Sequence, residues 1–191
     1  MARIMNTPST LFQEYPVLED EMIVLRKMTE EDAGALAEMC AQKEVYRYVP
    51  AFLYELKYED KHTVLAKMDE ECFDTKESLL LGVYLKETGA FAGIAEFYAY
   101  EPERRKCSIG LRLKQEYWGR GIAVRAETLM IRYLLEQAGI RTITGHIMQE
   151  NKASAAAAQK SGLEKKYCGI PEDWGFEEPV LIDKYIRKAT D

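Results

Sequence analysis

The segment Glu116-Tyr117-Trp118-Gly119-Arg120-Gly121-Ile122-Ala123 constrains this chain more than any other stretch. It follows a strand-like run and opens a long amphipathic helix. Two glycines at that junction let bare backbone N–H groups converge on an anion, and the positive end of the helix dipole adds to them. A Cβ at Gly119 or Gly121 would restrict the backbone and obstruct a close phosphate approach. The pattern predicts a docking point for something phosphorylated.

At 191 residues the chain suits one domain with a substantial core. Its 47% hydrophobic and 30% charged content fits a soluble globular protein. The net charge of −6 disfavours a general nucleic-acid binder, although a local basic patch at a phosphate remains compatible with it. Cys40, Cys72, Cys107 and Cys168 form no CxxC pair, and His62 and His146 stand alone, so no metal site is expected. Scattered cysteines suit a reducing cytoplasm. Met1 to Pro8 lacks the apolar stretch of a secretion signal, and no run approaches the ~18 apolar residues of a membrane span.

Along the chain, residues 1–20 read as an extension without periodicity, and residues 21–191 as a single domain. Met22 to Arg26 reads as a first strand. Thr29 offers an N-cap with Asp32 three residues on, and Ala33, Leu36, Ala37 and Cys40 follow at helical spacing. A second helix is expected over Glu59 to Phe73. Between these helices, the aromatic stretch Val45 to Tyr54 reads either as a loop packed on the core or as a flexible wall of a substrate groove. Leu79–Leu85 and Ala90–Tyr100 flank Lys86-Glu87-Thr88-Gly89, a hairpin signal, and a third strand runs from about Cys107 to Leu113. The long helix spans about Gly121 to Ala138, with Ala126, Leu129, Met130, Tyr133 and Leu134 as its buried stripe. Thr142–Ile147 is the next strand, reached by a right-handed crossover. A short helix over Asn151–Ser161 ends at Gly162, and Leu163–Tyr167 with Val180–Arg187 form a closing hairpin.

This order, with two local motifs, resembles the GCN5-related N-acetyltransferase (GNAT) superfamily, and most closely its ribosomal-protein N-terminal acetyltransferase-like branch. The resemblance covers about residues 20–188 and is strongest over 107–163. The family's phosphate loop, Gln/Arg-x-x-Gly-x-Gly/Ala, maps onto Glu116 to Gly121. The glycines match and Glu116 departs, which puts a side-chain contact from residue 116 in doubt but leaves the backbone contacts intact. The family's Asn-x-x-Ser pattern, followed by Gly and an apolar residue, maps onto Asn151-Lys152-Ala153-Ser154 and Gly162-Leu163.

The resemblance implies an α/β fold (α+β by some schemes) with a mixed, mostly antiparallel sheet of about seven strands and helices on both faces. It implies direct transfer of the acetyl group of acetyl-CoA, the cosubstrate, to a primary amine, without a metal. That amine is a peptide N-terminus or a small molecule, and the protein a monomer or homodimer. Backbone N–H groups of Trp118, Gly119, Arg120, Gly121, Ile122 and Ala123 would receive the pyrophosphate, and Arg120 and Arg125 could add charge. Backbone groups of Leu111, Arg112 and Leu113 would hold the pantetheine arm, joined by Asn151, which also reads as a plain N-cap. Many relatives carry a tyrosine where this chain has Ala158, so Ser154 is the candidate hydrogen-bond donor to the departing sulfur, and it also reads as a small helix-packing serine. Several relatives carry a basic glutamate where this chain has Ser108, so Glu96 is the replacement candidate, its apolar neighbours raising its pKa. Glu96 also reads as an outward-facing strand residue, and His146 as a structural histidine or a substitute base. The acidic, aromatic loop Gly169–Glu178 would attract a cationic amine, or reads as a plain solvated loop. The departures at Ala158 and Ser108 motivate the competing reading, a CoA-binding or sensing module of the same fold that has lost turnover.

Overall fold

The computed structural model describes residues 9–190. One sheet of eight strands organises them: β1 (Leu18–Glu19), β2 (Ile23–Arg26), β3 (Ser78–Leu85), β4 (Phe91–Glu101), β5 (Lys106–Leu113), β6 (Thr142–Met148), β7 (Glu164–Glu172) and β8 (Val180–Lys188). Their order is β1-β2-β3-β4-β5-β6-β8-β7, antiparallel throughout except for the β5–β6 pair. The α-helices are α1 (Ala33–Cys40), α2 (Lys61–Met68), α3 (Ile122–Glu136) and α4 (Lys152–Lys160).

Strand alternation sorts side chains onto two covered faces. Leu79, Leu81, Val83, Ala95 and Phe97 point to the face under α3 and α4, where Ala126, Leu129, Met130 and Leu134 meet them. Leu80, Tyr84 and Ile94 point to the face under α1 and α2, against Leu36, Met39, Val64 and Met68. Both faces of β3 are therefore buried, which explains its unbroken apolar run. Each fully buried Leu or Met of this kind stabilises the fold by about 1.5–3 kcal/mol.

The sheet has one strand more than the sequence pattern shows. β1 is only two residues long, too short to display alternation. Asp20 turns the chain into β2 by accepting from the Met22 and Ile23 N–H groups at 2.8 and 2.9 Å. The stretch read as a patternless extension also sends Leu11, Phe12 and Leu18 into the core beside α3, while its first eight residues lie outside the described part. The Thr29 cap is present, with the Thr29 N–H donating to Asp32 at 2.8 Å. The second helix reaches Phe73 as expected, but its last turn, Asp69–Phe73, is wound as a π-helix. Among the described residues no helix is long and apolar enough to cross a membrane.

The crossover from β5 through α3 to β6 sets up the site. β5 and β6 pair only over Lys106–Thr142, Cys107–Ile143 and Ser108–Thr144. Beyond that last rung both strands continue, to Leu113 and Met148, without pairing to each other. Each keeps its other neighbour: β5 stays zipped to β4 as far as Leu113, and β6 to β8 as far as Met148. The sheet is therefore split by a wedge-shaped opening.

Candidate active site

At the head of the wedge, the Ser108 and Thr144 hydroxyls share a 2.6 Å hydrogen bond. Ser108 is thus buried structural material at the fork. Past it lies a groove of about 380 Å³ that passes through the sheet. On the α3/α4 side its walls carry Glu127, Ser154, Ala158 and Leu163. On the other side they carry Glu96, Tyr98, Arg112 and His146, roofed by residues 48–53 and by Trp174.

The glycine junction opens at the α3 end. Gly119 and Gly121 have φ of +68° and +76°, in the left-handed region that favours glycine. Nothing lies within 4 Å of a Cβ built on either, so the space above them is open to an incoming group. No hydrogen bond from the backbone N–H groups of Gly119 through Val124 to another described residue is present. The junction therefore has the donors and the clearance that a diphosphate requires. Trp118 departs from expectation here. Its N–H already donates to the Gln115 carbonyl at 3.1 Å, and its indole N–H to the Leu113 carbonyl at 2.8 Å. It splints the loop to the end of β5, and the available donors begin at Gly119.

The side-chain charge near the junction is largely committed. Arg125 is paired with Asp20 at 2.8 Å and Glu21 at 2.5 Å, so it braces the β1–β2 turn. Glu116 takes Lys114 at 2.9 Å. Arg120 lies against the Tyr117 ring, 5.6 Å from its centroid.

Along the wedge, β5 presents an edge unpaired toward β6 over Ile109–Leu113, with Leu111 and Arg112 lining the groove. Asn151 caps α4, its Oδ1 accepting from the Ser154 N–H at 3.1 Å, and it too lines the groove. Its cap and a groove-facing amide coexist. Ser154 lies one turn into α4 on the groove wall, and Ala158 is buried a turn further on.

The Arg112 side chain has a use that the sequence reading missed. It is fully buried and donates to Glu55, through Nε and through Nη2 at 2.6 Å, and to Glu96 Oε2 at 2.7 Å. Burial alone pulls its pKa down, but the two carboxylates outweigh burial and the net shift is upward. Glu96 is buried rather than outward-facing, and its pairing with Arg112 replaces the apolar surroundings expected of it. Glu55 comes from the short turn Tyr54–Leu56, just after the aromatic stretch. Arg112 therefore ties that stretch to the floor of the groove. Tyr48, Val49, Pro50, Phe52 and Leu53 form a wall, and the Ala51 N–H donates to the Trp174 carbonyl at 2.8 Å to close the roof.

One further group, Glu127, escaped the sequence reading, and so did the partner of His146. Glu127, on α3, is 8% exposed, and burial pushes its carboxyl up to about 7 despite a 2.8 Å hydrogen bond from Ser161 Oγ. A charge inside a helical apolar stripe was its only signal. His146 is not alone, because Glu172 of β7 meets its Nδ1 at 3.0 Å. No spacing rule joins residues 146 and 172. Their meeting depends on β8 lying between β6 and β7. Among the described residues no cluster of three or more His, Cys, Asp or Glu side chains is placed to hold a metal ion.

A split mixed sheet with a glycine cradle at the mouth of its crossover helix defines the acyl-CoA N-acyltransferase class of α/β fold. The family model for the acetyltransferase (GNAT) domain matches residues 22–164, and the chain belongs to that family. It is therefore an acetyl-CoA-dependent N-acetyltransferase by family. It is 24% identical over 172 residues to the uncharacterized N-acetyltransferase YoaA of Bacillus subtilis (strain 168), covering 90% of this chain and 95% of that one. Among solved structures, RimL, a ribosomal-protein alpha-N acetyltransferase in complex with coenzyme A, superposes with a TM-score of 0.77 at 15% identity, over 91% of this chain and 98% of its own. RimJ of Mycobacterium smegmatis in complex with CoA-disulfide gives 0.77 at 15% identity, over 96% and 90%.

Proposed function

We propose that this chain moves the acetyl group of acetyl-CoA onto the primary amine of a peptide N-terminus in one direct step, through the opening between β5 and β6. The observation that carries this reading is the split sheet. A thioester brought along the α3/α4 side reaches an amine arriving from the other side without either having to leave its own wall. Backbone N–H groups from Gly119 to Ala123 receive the diphosphate, with Arg120 as the nearby cation. The edge of β5 at Leu111–Leu113, where the Trp118 indole already takes the Leu113 carbonyl, and the Asn151 amide hold the pantetheine arm. Ser154 Oγ, facing the same groove, donates a hydrogen bond to the sulfur as the C–S bond breaks. Holding both reactants in line supplies much of the acceleration.

The likeness to RimL supports a peptide acceptor, as does the roof, whose apolar and aromatic residues suit the body of a peptide while the carboxylates of Glu172 and Asp173 suit its ammonium end. Small-molecule amines are the alternative acceptors. A cytoplasmic setting agrees with the four free thiols of Cys40, Cys72, Cys107 and Cys168.

Release of free thiol from acetyl-CoA, followed with a panel of peptides carrying free α-amines and a panel of small primary amines, tests the reading. Peptide-dependent release is expected. Tight CoA binding in calorimetry with no release from any amine would instead favour the sensing module, which the alanine at 158 and the buried Ser108 would then explain.

A further inference from the structure

An ammonium acceptor must lose a proton before its nitrogen can attack, and the group that takes it has to lie on the acceptor side of the split. Four groups there carry a carboxylate or imidazole in the groove: Glu96, His146, Glu172 and Asp173. Glu96 is already bound to Arg112, Glu172 accepts from the Trp174 indole N–H, and Asp173 accepts from the Gly175 N–H. The Nε2 of His146 has no such partner among the described residues. His146 stands two residues past Thr144, the last residue of β6 that pairs with β5, and on the same face as Thr144. We propose that His146 is the general base of the acetyl transfer and that Glu172 is its positioning residue.

The geometry supplies each part. Glu172 Oε1 and Oε2 stand 3.0 and 3.2 Å from His146 Nδ1. A carboxylate only accepts, so Nδ1 carries the proton and Nε2 presents its lone pair. No other described residue hydrogen-bonds to the imidazole. The Trp174 indole N–H donates to Glu172 Oε2 at 2.9 Å and fixes the carboxylate in turn. The Ala51 N–H then holds the Trp174 backbone carbonyl at 2.8 Å. Base, orienter and roof thus form one connected unit, and the roof over the acceptor is the element that aims the base.

The inference rests on the acetyl-transfer reading. His146 Nε2 takes one proton from the ammonium, and the freed amine attacks the thioester carbonyl, forming the C–N bond. The C–S bond breaks, and the second nitrogen-bound proton ends on the CoA thiolate. The proton held by His146 then leaves to solvent, so that ammonium and thioester yield amide, thiol and one released proton. The titratable and charged groups that line the groove with this imidazole are Glu172 and Asp173 from the end of β7 and its loop, Glu96 and Tyr98 from β4, Arg112 from β5, Tyr48 from the roof and Glu127 from the opposite wall, and Lys184 is its register partner on β8.

The test is kcat/KM against pH for the full chain, His146→Asn and Glu172→Gln, with acetyl-CoA and a free-amine tripeptide amide or phenethylamine, whichever turns over faster. Asn keeps an N–H toward Glu172 and removes the lone pair. His146→Asn is expected to fall roughly 100-fold near pH 7, with the deficit narrowing as pH approaches the amine's own pKa. CoA affinity by calorimetry and the melting temperature stay near those of the unaltered protein. Glu172→Gln is expected to lower kcat several-fold while leaving KM for the amine near the parent's, a split that a merely structural carboxylate would not produce. An unaltered protein that turns over while His146→Asn turns over equally well at every pH overturns the base and leaves acetyl transfer standing. An unaltered protein that releases no thiol with any amine overturns acetyl transfer, and the base with it.

Discussion

The Ser108 and Thr144 hydroxyls meet at 2.6 Å on the last rung that joins β5 to β6, and the sheet divides immediately beyond them. Both side chains are buried, and each completes the other's hydrogen bonding. Ser108→Ala leaves the Thr144 hydroxyl without its partner and is expected to cost about 1–3 kcal/mol. Adding Thr144→Val should cost less than the sum of the single changes. Urea unfolding of the double-mutant cycle measures this, and simple additivity would contradict it.

Arg112 neutralises two buried carboxylates at once. Arg112→Met leaves Glu55 and Glu96 buried without a counter-charge, at a cost of roughly 3–5 kcal/mol. Equilibrium denaturation reads that loss. A variant as stable as the parent would show that the pair is not the fastening of the roof to the floor.

Gly121 opens α3 at a φ of +76°. Gly121→Ala incurs about 1–2 kcal/mol of backbone strain and places a methyl group over the cradle, so CoA affinity in calorimetry should weaken ten-fold or more. Gly34→Ala is the control. Gly34 sits in α1 with nothing within 4 Å of a built Cβ, and its replacement should leave CoA affinity unchanged.

Glu127 sets a pH dependence of stability. Burial raises its carboxyl from 4.5 to about 7 in the folded state. Between those two values the unfolded chain has released the proton and the folded chain still holds it, so stability falls as pH rises. The contribution is complete below about pH 4.5, declines through about 7, and is flat above that. The total is on the order of 3 kcal/mol. Glu127→Gln keeps a partner for Ser161 and removes the titration. Its melting temperature should therefore gain on the parent's between pH 5 and pH 8, and parallel curves would contradict the assignment.

Local features of the fold and site were legible in the sequence, and features made by distant strands were not. The glycine junction, the Asn151 cap and the buried stripe of α3 announce themselves within a few residues, because turn chemistry and helical spacing are short-range. β1 was hidden by its length. The partners of Glu96, His146 and Arg112 were hidden because sheet order makes them: Glu55 lies 57 residues from Arg112 along the chain and within hydrogen-bond reach in the fold. Trp118 shows a subtler limit. Its place in the loop was clear, but that its N–H was already taken by Gln115 depended on a turn the sequence did not reveal.

A crystal structure with CoA bound is the decisive measurement. The diphosphate should lie over the N–H groups that start at Gly119, and the sulfur in the opening between β5 and β6 beside Ser154. A diphosphate bound away from that helix mouth, or a thiol that does not enter the split, would contradict that arrangement.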